Sequence, residues 1–191
     1  MTTVAVLGVD AGSGSVREAD HLLAELADGL GLPEGFVGCT HLIRTGLPHV
    51  AVSLAVPAPP STSGFFQVVR EIVGDVGLAL GSRPAGPARL AEGAALAVSE
   101  HVRSGRAVRF PGIERLTGRL TVRDILEGTA IDRVLVLMAK EPPLEALVDT
   151  RDHVRPEWRH GRLTLLTMPA GPGLFAPYEV PNPTPCCADH A

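Results

Sequence analysis

Aromatic side chains are scarce in this chain, with one Trp, one Tyr and five Phe among 191 residues. A core must therefore be built from Val, Leu, Ile and Ala, which suits β-branched parallel strands under Leu/Ala helices better than an aromatic-rich sandwich. Lysine is almost absent: Lys140 stands alone and every other basic residue among the 17 is arginine, which reads as the codon usage of a GC-rich genome. An excess of positive charge is also missing. The formal net charge of −4 excludes general nucleic-acid binding, in which a basic surface supplies most of the affinity. No stretch approaches the roughly 20 consecutive apolar residues of a membrane span, so no membrane partner is expected. Met1-Thr-Thr leads straight into a strand-like run without the basic start of a secretory signal, which gives a cytoplasmic expectation. Three cysteines, an odd number, do not make a disulfide framework.

Diagnostic motifs are lacking as well. No serine lies in Gly-x-Ser-x-Gly, the strained turn that exposes a hydrolase nucleophile. Ser13, Ser15, Ser61 and Ser63 read as helix caps and turn residues.

What is present reads as one α/β domain, since roughly 100–200 residues per domain is usual. Thr3 to Val9 is a nearly continuous apolar run, the pattern of a strand buried on both faces. The loop Asp10-Ala-Gly-Ser-Gly14 follows, then Ser15-Val-Arg-Glu18, a capping box that opens a helix through Leu22, Leu23, Leu26 and Leu30. His49 to Val56 predicts a second strand, stopped by Pro57, Pro59 and Pro60. Further helices are expected from Phe65 to Leu80, from Pro87 to about Ser104, and from Thr121 through Glu127. Arg133 to Ala139 predicts a third buried strand. The fold class that follows is a single domain with a mixed, mostly parallel sheet centred on strands 3–9, 49–56 and 133–139, helices on both faces, and a carboxy-terminal hairpin plus an extended, proline-rich arm. Residues 1–140 would form the α/β core. Residues 141–191 would form the hairpin, turning at His160-Gly161, and an arm set straight by Val180-Pro-Asn-Pro-Thr-Pro185.

Three groups of residues are candidate sites. The loop containing Asp10, Gly12, Ser13, Gly14 and Ser15 sits after a strand and at a helix amino terminus, where free N–H groups attract anions, so it is a phosphate or nucleotide candidate. It lacks the Lys-Ser/Thr of a P-loop and the third glycine of a dinucleotide fold. Asp10-Ala-Gly-Ser13 is similar to the phosphate loop of the sugar-kinase and actin group, whose two-lobed fold requires a much longer chain. The second group is an arginine-rich stretch in which Arg115, Arg119 and Arg123 fall four apart; on one helix they would make a patch for an anion or an acidic partner surface.

The third group joins two stretches far apart in the sequence. Cys186, Cys187 and His190 lie close together near the carboxy terminus, and the remaining cysteine has a histidine beside it in Cys39-Thr-His41. Thiolate and imidazole are the preferred ligands of zinc, and four of them close a tetrahedral structural site; zinc is the cofactor this set would take. Asp149, Asp152, His153 and His160 read as structural. The function expected from these features is an accessory or protein-interaction subunit of a bacterial multicomponent system, its partner another copy or a different subunit. One alternative is a metal- or thiol-dependent, hydrolase-like enzyme built on the Cys/His cluster. Another is phosphate or nucleotide binding at the glycine-rich loop.

Overall fold

The computed structural model describes residues 3–137 and 140–181, which form two compact units. The first runs to Pro111 and takes back Glu157–Leu163; the second comprises Gly112–Pro156 and the chain from Thr164 onward.

Unit 1 is a seven-stranded sheet. In chain order its elements are β1 (Val4–Ser13), α1 (Val16–Gly29), β2 (Gly38–Ile43), β3 (His49–Pro57), α2 (Thr62–Val73), β4 (Gly77–Leu80), β5 (Arg83–Ala85), α3 (Ala88–Glu100), β6 (Arg106–Arg109) and, from the returning segment, β10 (Glu157–Arg159). The strands lie in the order β5-β4-β1-β3-β2-β6-β10, and each neighbouring pair is antiparallel.

The mostly parallel sheet expected from sequence is overturned by this arrangement, and the cause lies in the connections. A parallel pair requires a crossover of a dozen or more residues. Here β2 and β3 are joined across residues 44–48, and β4 and β5 across Gly81-Ser82. Gly46 at φ 74 and Gly81 at φ 55 supply the left-handed backbone these tight turns need. Strand β2 was missing from the expectation because Thr40 and His41 interrupt its apolar pattern. The helix expected from Phe65 to Leu80 is instead α2, which stops at Val73; Gly74, at φ 78, ends it, and the residues from Gly77 pair with β1 as β4.

The α1 helix starts where Ser15 accepts a hydrogen bond from the Glu18 amide, while the Glu18 carboxylate accepts from Gly14 N rather than from the cap's own amide. Its buried residues Ala19, Leu22, Leu23, Leu26 and Ala27 recur at helical spacing. Together with α2 they cover one face of the sheet, packing on Leu7, Val9, Val50, Val52, Leu54, Val56 and Leu78. Strand residues alternate between faces, so Gly8, Asp10, His49, Ala51 and Ser53 point to the opposite side, where α3 lies. There the sequence supplies small residues: a Cβ on Gly8 would overlap the Ala94 carbonyl, and one on Gly77 would overlap Leu90 backbone. Helix α3 therefore rests directly on the sheet through Ala91, Gly93, Ala94 and Ala97.

Unit 2 contains a short 3₁₀ turn (Ile113–Arg115), β7 (Arg119–Thr121), α4 (Val122–Gly128), β8 (Arg133–Val136), β9 (Leu147–Asp149), the part of β11 (Arg162–Gly171) from Thr164 onward, and β12 (Leu174–Pro177). Its strand order is β11-β12-β9-β7, with β8 also on β11. The β8–β11 and β9–β12 pairs are parallel. The strand expected at 133–139 is β8, so it is no neighbour of β1 or β3. Thr121 and Asp124 form a reciprocal capping box at the start of α4.

Candidate functional site

The α3-facing side of the unit 1 sheet holds a set of buried polar side chains, although both faces of β3 are covered. The strand His49-Val-Ala-Val-Ser-Leu-Ala-Val56 explains how. Its even positions, Val50, Val52, Leu54 and Val56, enter the apolar cluster beneath α1 and α2. Its odd positions carry His49 and Ser53 to the α3 side, and β2 adds Cys39 and His41 to the same side through the Cys39↔Ser53 and His41↔Ala51 register. Helix α3 ends on His101, which joins them. Burying polar groups costs about 1–3 kcal/mol each unless they are hydrogen-bonded, so their partners decide what each can do.

Asp10 and His49 form the first set. His49 Nε2 lies 2.8 Å from Asp10 Oδ2, and His49 Nδ1 lies 2.9 Å from the Leu47 carbonyl oxygen. Asp10 Oδ1 accepts from Gly12 N at 2.8 Å, holding the bulge in β1 between Val9 and Ser13. The Leu47 carbonyl can only accept, so His49 Nδ1 donates to it, and Nε2 faces the Asp10 carboxyl group. Burial alone would lower its pKa. The hydrogen bonds to Leu47 O and Asp10, with the Asp10 charge, outweigh both burial and the opposing Arg89 charge and raise it. Helix α3 comes close at Gly93, where a Cβ would overlap Asp10 Oδ2. Asp10 is fully buried and His49 nearly so, and neither ring nitrogen is free. This pair ties the β1 bulge to the β2–β3 turn and has no atom left for a substrate.

His41, Ser53 and His101 form the second set. Ser53 Oγ stands 2.7 Å from His41 Nε2 and 2.7 Å from His101 Nδ1, a string of three side chains from β2, β3 and the end of α3. Burial drives both imidazoles down to a pKa of about 4, with the neighbouring His101 adding to the effect on His41, so both rings are neutral near pH 7. Ser53 is fully buried, which removes its hydroxyl from nucleophilic attack. His41 is 4 % exposed, and its Nδ1 has no hydrogen-bond partner among the described residues. That nitrogen abuts Gly105, which has no side chain and sits at φ 92; a Cβ there would crowd His41 Nδ1 and the Thr40 carbonyl.

His41 and Gly105 also line a cavity of about 440 Å³ between β2, the end of α3 and the loop that follows it. Its other polar walls are Arg44, Thr45, Glu100 and Ser104; Leu42, Ile43 and Leu96 make it partly apolar. The volume falls in the range of roughly 300–1,000 Å³ typical of small-molecule sites.

The residues singled out from sequence are distributed as follows. Cys39 and His41 share a face of β2, but Cys39 is fully buried and burial pushes its thiol up to about 12, against the weaker influence of Trp158, Val102 N and Ser53. Trp158 Nε1 lies beside that sulfur, too loosely for a directed bond. Cys186, Cys187 and His190 lie outside the described residues, and among the described residues no group of three or more His, Cys, Asp or Glu is placed to hold a metal ion. The glycine-rich loop is part of β1 and its bulge. Asp10 is engaged with His49, and the Glu18 carboxylate occupies the Gly14 amide at the start of α1, where a phosphate would meet its charge. Gly12 is at φ 69, Ser13 is buried and Ser15 is the helix cap.

Arg115, Arg119 and Arg123 stand on three different elements of unit 2: the 3₁₀ turn, β7 and α4. Each faces an acid, Arg115 with Glu114 at 3.7 Å, Arg119 with Asp149 at 3.4 Å and Arg123 with Glu145 at 2.7 Å. Exposed pairs of this kind contribute about 0–1 kcal/mol. Arg106, from the same basic stretch, reaches Asp20 of α1 at 2.6 and 3.0 Å. The residues that sequence reasoning did not bring forward are His49, Ser53, Gly93 and Gly105. The alternation in β3 was their available signal. Compared with protein-family models, with curated proteins and with solved structures, the chain shows no match.

Proposed function

We propose that unit 1 is a small-molecule-binding module whose site is the cavity beside His41. The observation that carries this reading is the cavity itself, of small-molecule size and lined by both polar and apolar side chains. Arg44, Thr45 and Ser104 supply further polar contacts, and Leu96 and Ile43 an apolar wall, which suits a compact molecule with one polar edge. The reading is tested by ligand-observed NMR with a fragment library against the native chain and the Leu96→Trp variant, whose indole would fill the cavity. Fragments that bind the native chain and are lost from the variant, with the circular dichroism of the two unchanged, support it. A library without binders, or binders indifferent to the substitution, refutes it.

A second reading is an accessory subunit that engages a partner chain, favoured by Leu42 and Leu47 of the β2–β3 hairpin, 57 % and 73 % exposed. Single exposed leucines are common, so this reading needs a partner that binds the native chain and fails with Leu42→Ser and Leu47→Ser.

A further inference from the structure

The inference that follows rests on the reading of the cavity as a ligand site and names the class of ligand. We infer that the cavity receives a short, extended peptide segment of a partner protein, which adds itself as a strand along the open edge of β2 at Leu42.

The pairing of the sheet leads there. In an antiparallel ladder, successive residues direct their backbone N–H and C=O alternately to the strand on either side. Ala55 N donates to Val37 O at 2.8 Å, so the β2–β3 register turns the backbone groups of Cys39, His41 and Ile43 toward β3. Those of Thr40 and Leu42 therefore turn the other way, toward the line of β6. Thr40 meets Arg106 there. Opposite Leu42 the same register would place Ser104, but β6 begins only at Arg106. The Ser104 amide bonds instead to Glu100 O at 3.0 Å, in the turn after α3. The backbone N–H and C=O of Leu42 are left without a partner among the described residues. Exposure changes at the same point, from 3 % at Thr40 to 57 % at Leu42.

The cavity lies at this gap: residues 41–45 line it together with Leu96, Glu100 and Ser104. An unpaired strand edge is a template for another extended chain, whose own N–H and C=O match both groups of one residue at once. The open stretch from Leu42 to Arg44 takes about three residues of added strand, at roughly 3.3 Å each. A second copy of this chain could offer only an edge that already carries a folded body. So short a gap, between the end of β6 and the turn at residues 44–48, suits a free segment.

The lining also sets a sequence preference. Added antiparallel, in line with β6, the segment places one residue directly opposite Leu42 and on the same face, which favours an apolar side chain. Arg44 has no ion pair among the described residues, whereas Glu100 already accepts from Ser104 Oγ at 2.6 Å. An acidic residue opposite Arg44 is therefore favoured.

The test uses the full ¹⁵N-labelled chain and the capped peptide acetyl-Glu-Val-Leu-Thr-amide, written to set its glutamate opposite Arg44 and its leucine opposite Leu42. One control carries an N-methyl group on the peptide leucine; the other has lysine for glutamate. In the free chain the Leu42 amide is expected to exchange quickly with solvent, while those of His41 and Ile43 are protected. The peptide is expected to protect the Leu42 amide and to bind roughly tenfold more tightly than its N-methyl form, the factor one hydrogen bond supplies. The lysine form is expected to bind about fivefold more weakly. A Leu42 amide already protected in the free monomer overturns the inference before any peptide is added. Protection that arrives with a dimer in size exclusion makes the occupant a second copy and overturns it equally. Either control binding as well as the peptide overturns it too. A peptide that fails to bind while fragments still do overturns the inference and leaves the cavity reading intact; failure of both overturns the cavity reading as well.

Discussion

Acidification sets His41 and His101 against their burial, and the size of the effect can be worked through. Each ring falls from an ordinary pKa of 6.5 to about 4 in the folded chain. A group whose folded value is depressed gives stability that is present above its unfolded value and lost as pH falls through the folded one. The window is therefore from 6.5 down to about 4. At about pH 5 the unfolded rings are almost fully protonated and the folded ones mostly neutral, so each ring removes about 2 kcal/mol relative to about pH 7. Together they remove about 3–4 kcal/mol, a large part of a total of roughly 5–15 kcal/mol. His49 adds no loss in this window, because its raised value makes its contribution complete below 6.5. The assay is urea unfolding followed by the fluorescence of Trp158, the only tryptophan and a residue of unit 1. His41→Gln and His101→Asn keep a nitrogen near the Ser53 hydroxyl without titrating, so each should remove about half of the acid loss. A free energy flat to within about 1 kcal/mol between these pH values, or a double variant as acid-sensitive as the native chain, would refute the reasoning.

Other expectations concern the remaining buried groups. Asp10→Asn breaks the pair with His49 and should cost about 3–5 kcal/mol in chemical unfolding. The native chain should also lose stability as pH rises above 6.5 through the raised His49 value, a loss that should be absent in the variant. Gly93→Ala drives a methyl group into Asp10 Oδ2 and should cost more than about 2 kcal/mol. Gly64→Ala, in the first turn of α2 with only ordinary contacts, should be neutral or stabilising by up to about 1 kcal/mol; equal effects at the two glycines would deny the close approach of α3. Cys39, in a Cys186→Ser/Cys187→Ser background, should resist maleimide until denaturant is added, and rapid native labelling would contradict its burial.

The sequence was most legible where the physics is local. Ser15 and Glu18 announce the start of α1, and Thr121 that of α4, because a cap is a bond between residues three apart. Strand direction was not legible, because it depends on which connections turn back. The link at residues 44–48 reads as an unremarkable loop until β2 is recognised beside it. The candidate site failed for a related reason. His49-Ala51-Ser53 against Val50-Val52-Leu54 is a period of two, the mark of a strand whose faces meet different neighbours. Taken only as a second strand, it left its polar positions unremarked, and no spacing rule announces that His41 and His101, sixty residues apart, meet at Ser53.

The most direct measurement is a crystal structure of the full chain soaked with a set of small hydroxyl- and amide-bearing fragments. Density for fragments in the cavity beside Leu96 and Gly105 is the expected result. A cavity that stays empty across the set would contradict the reading of it as a ligand site.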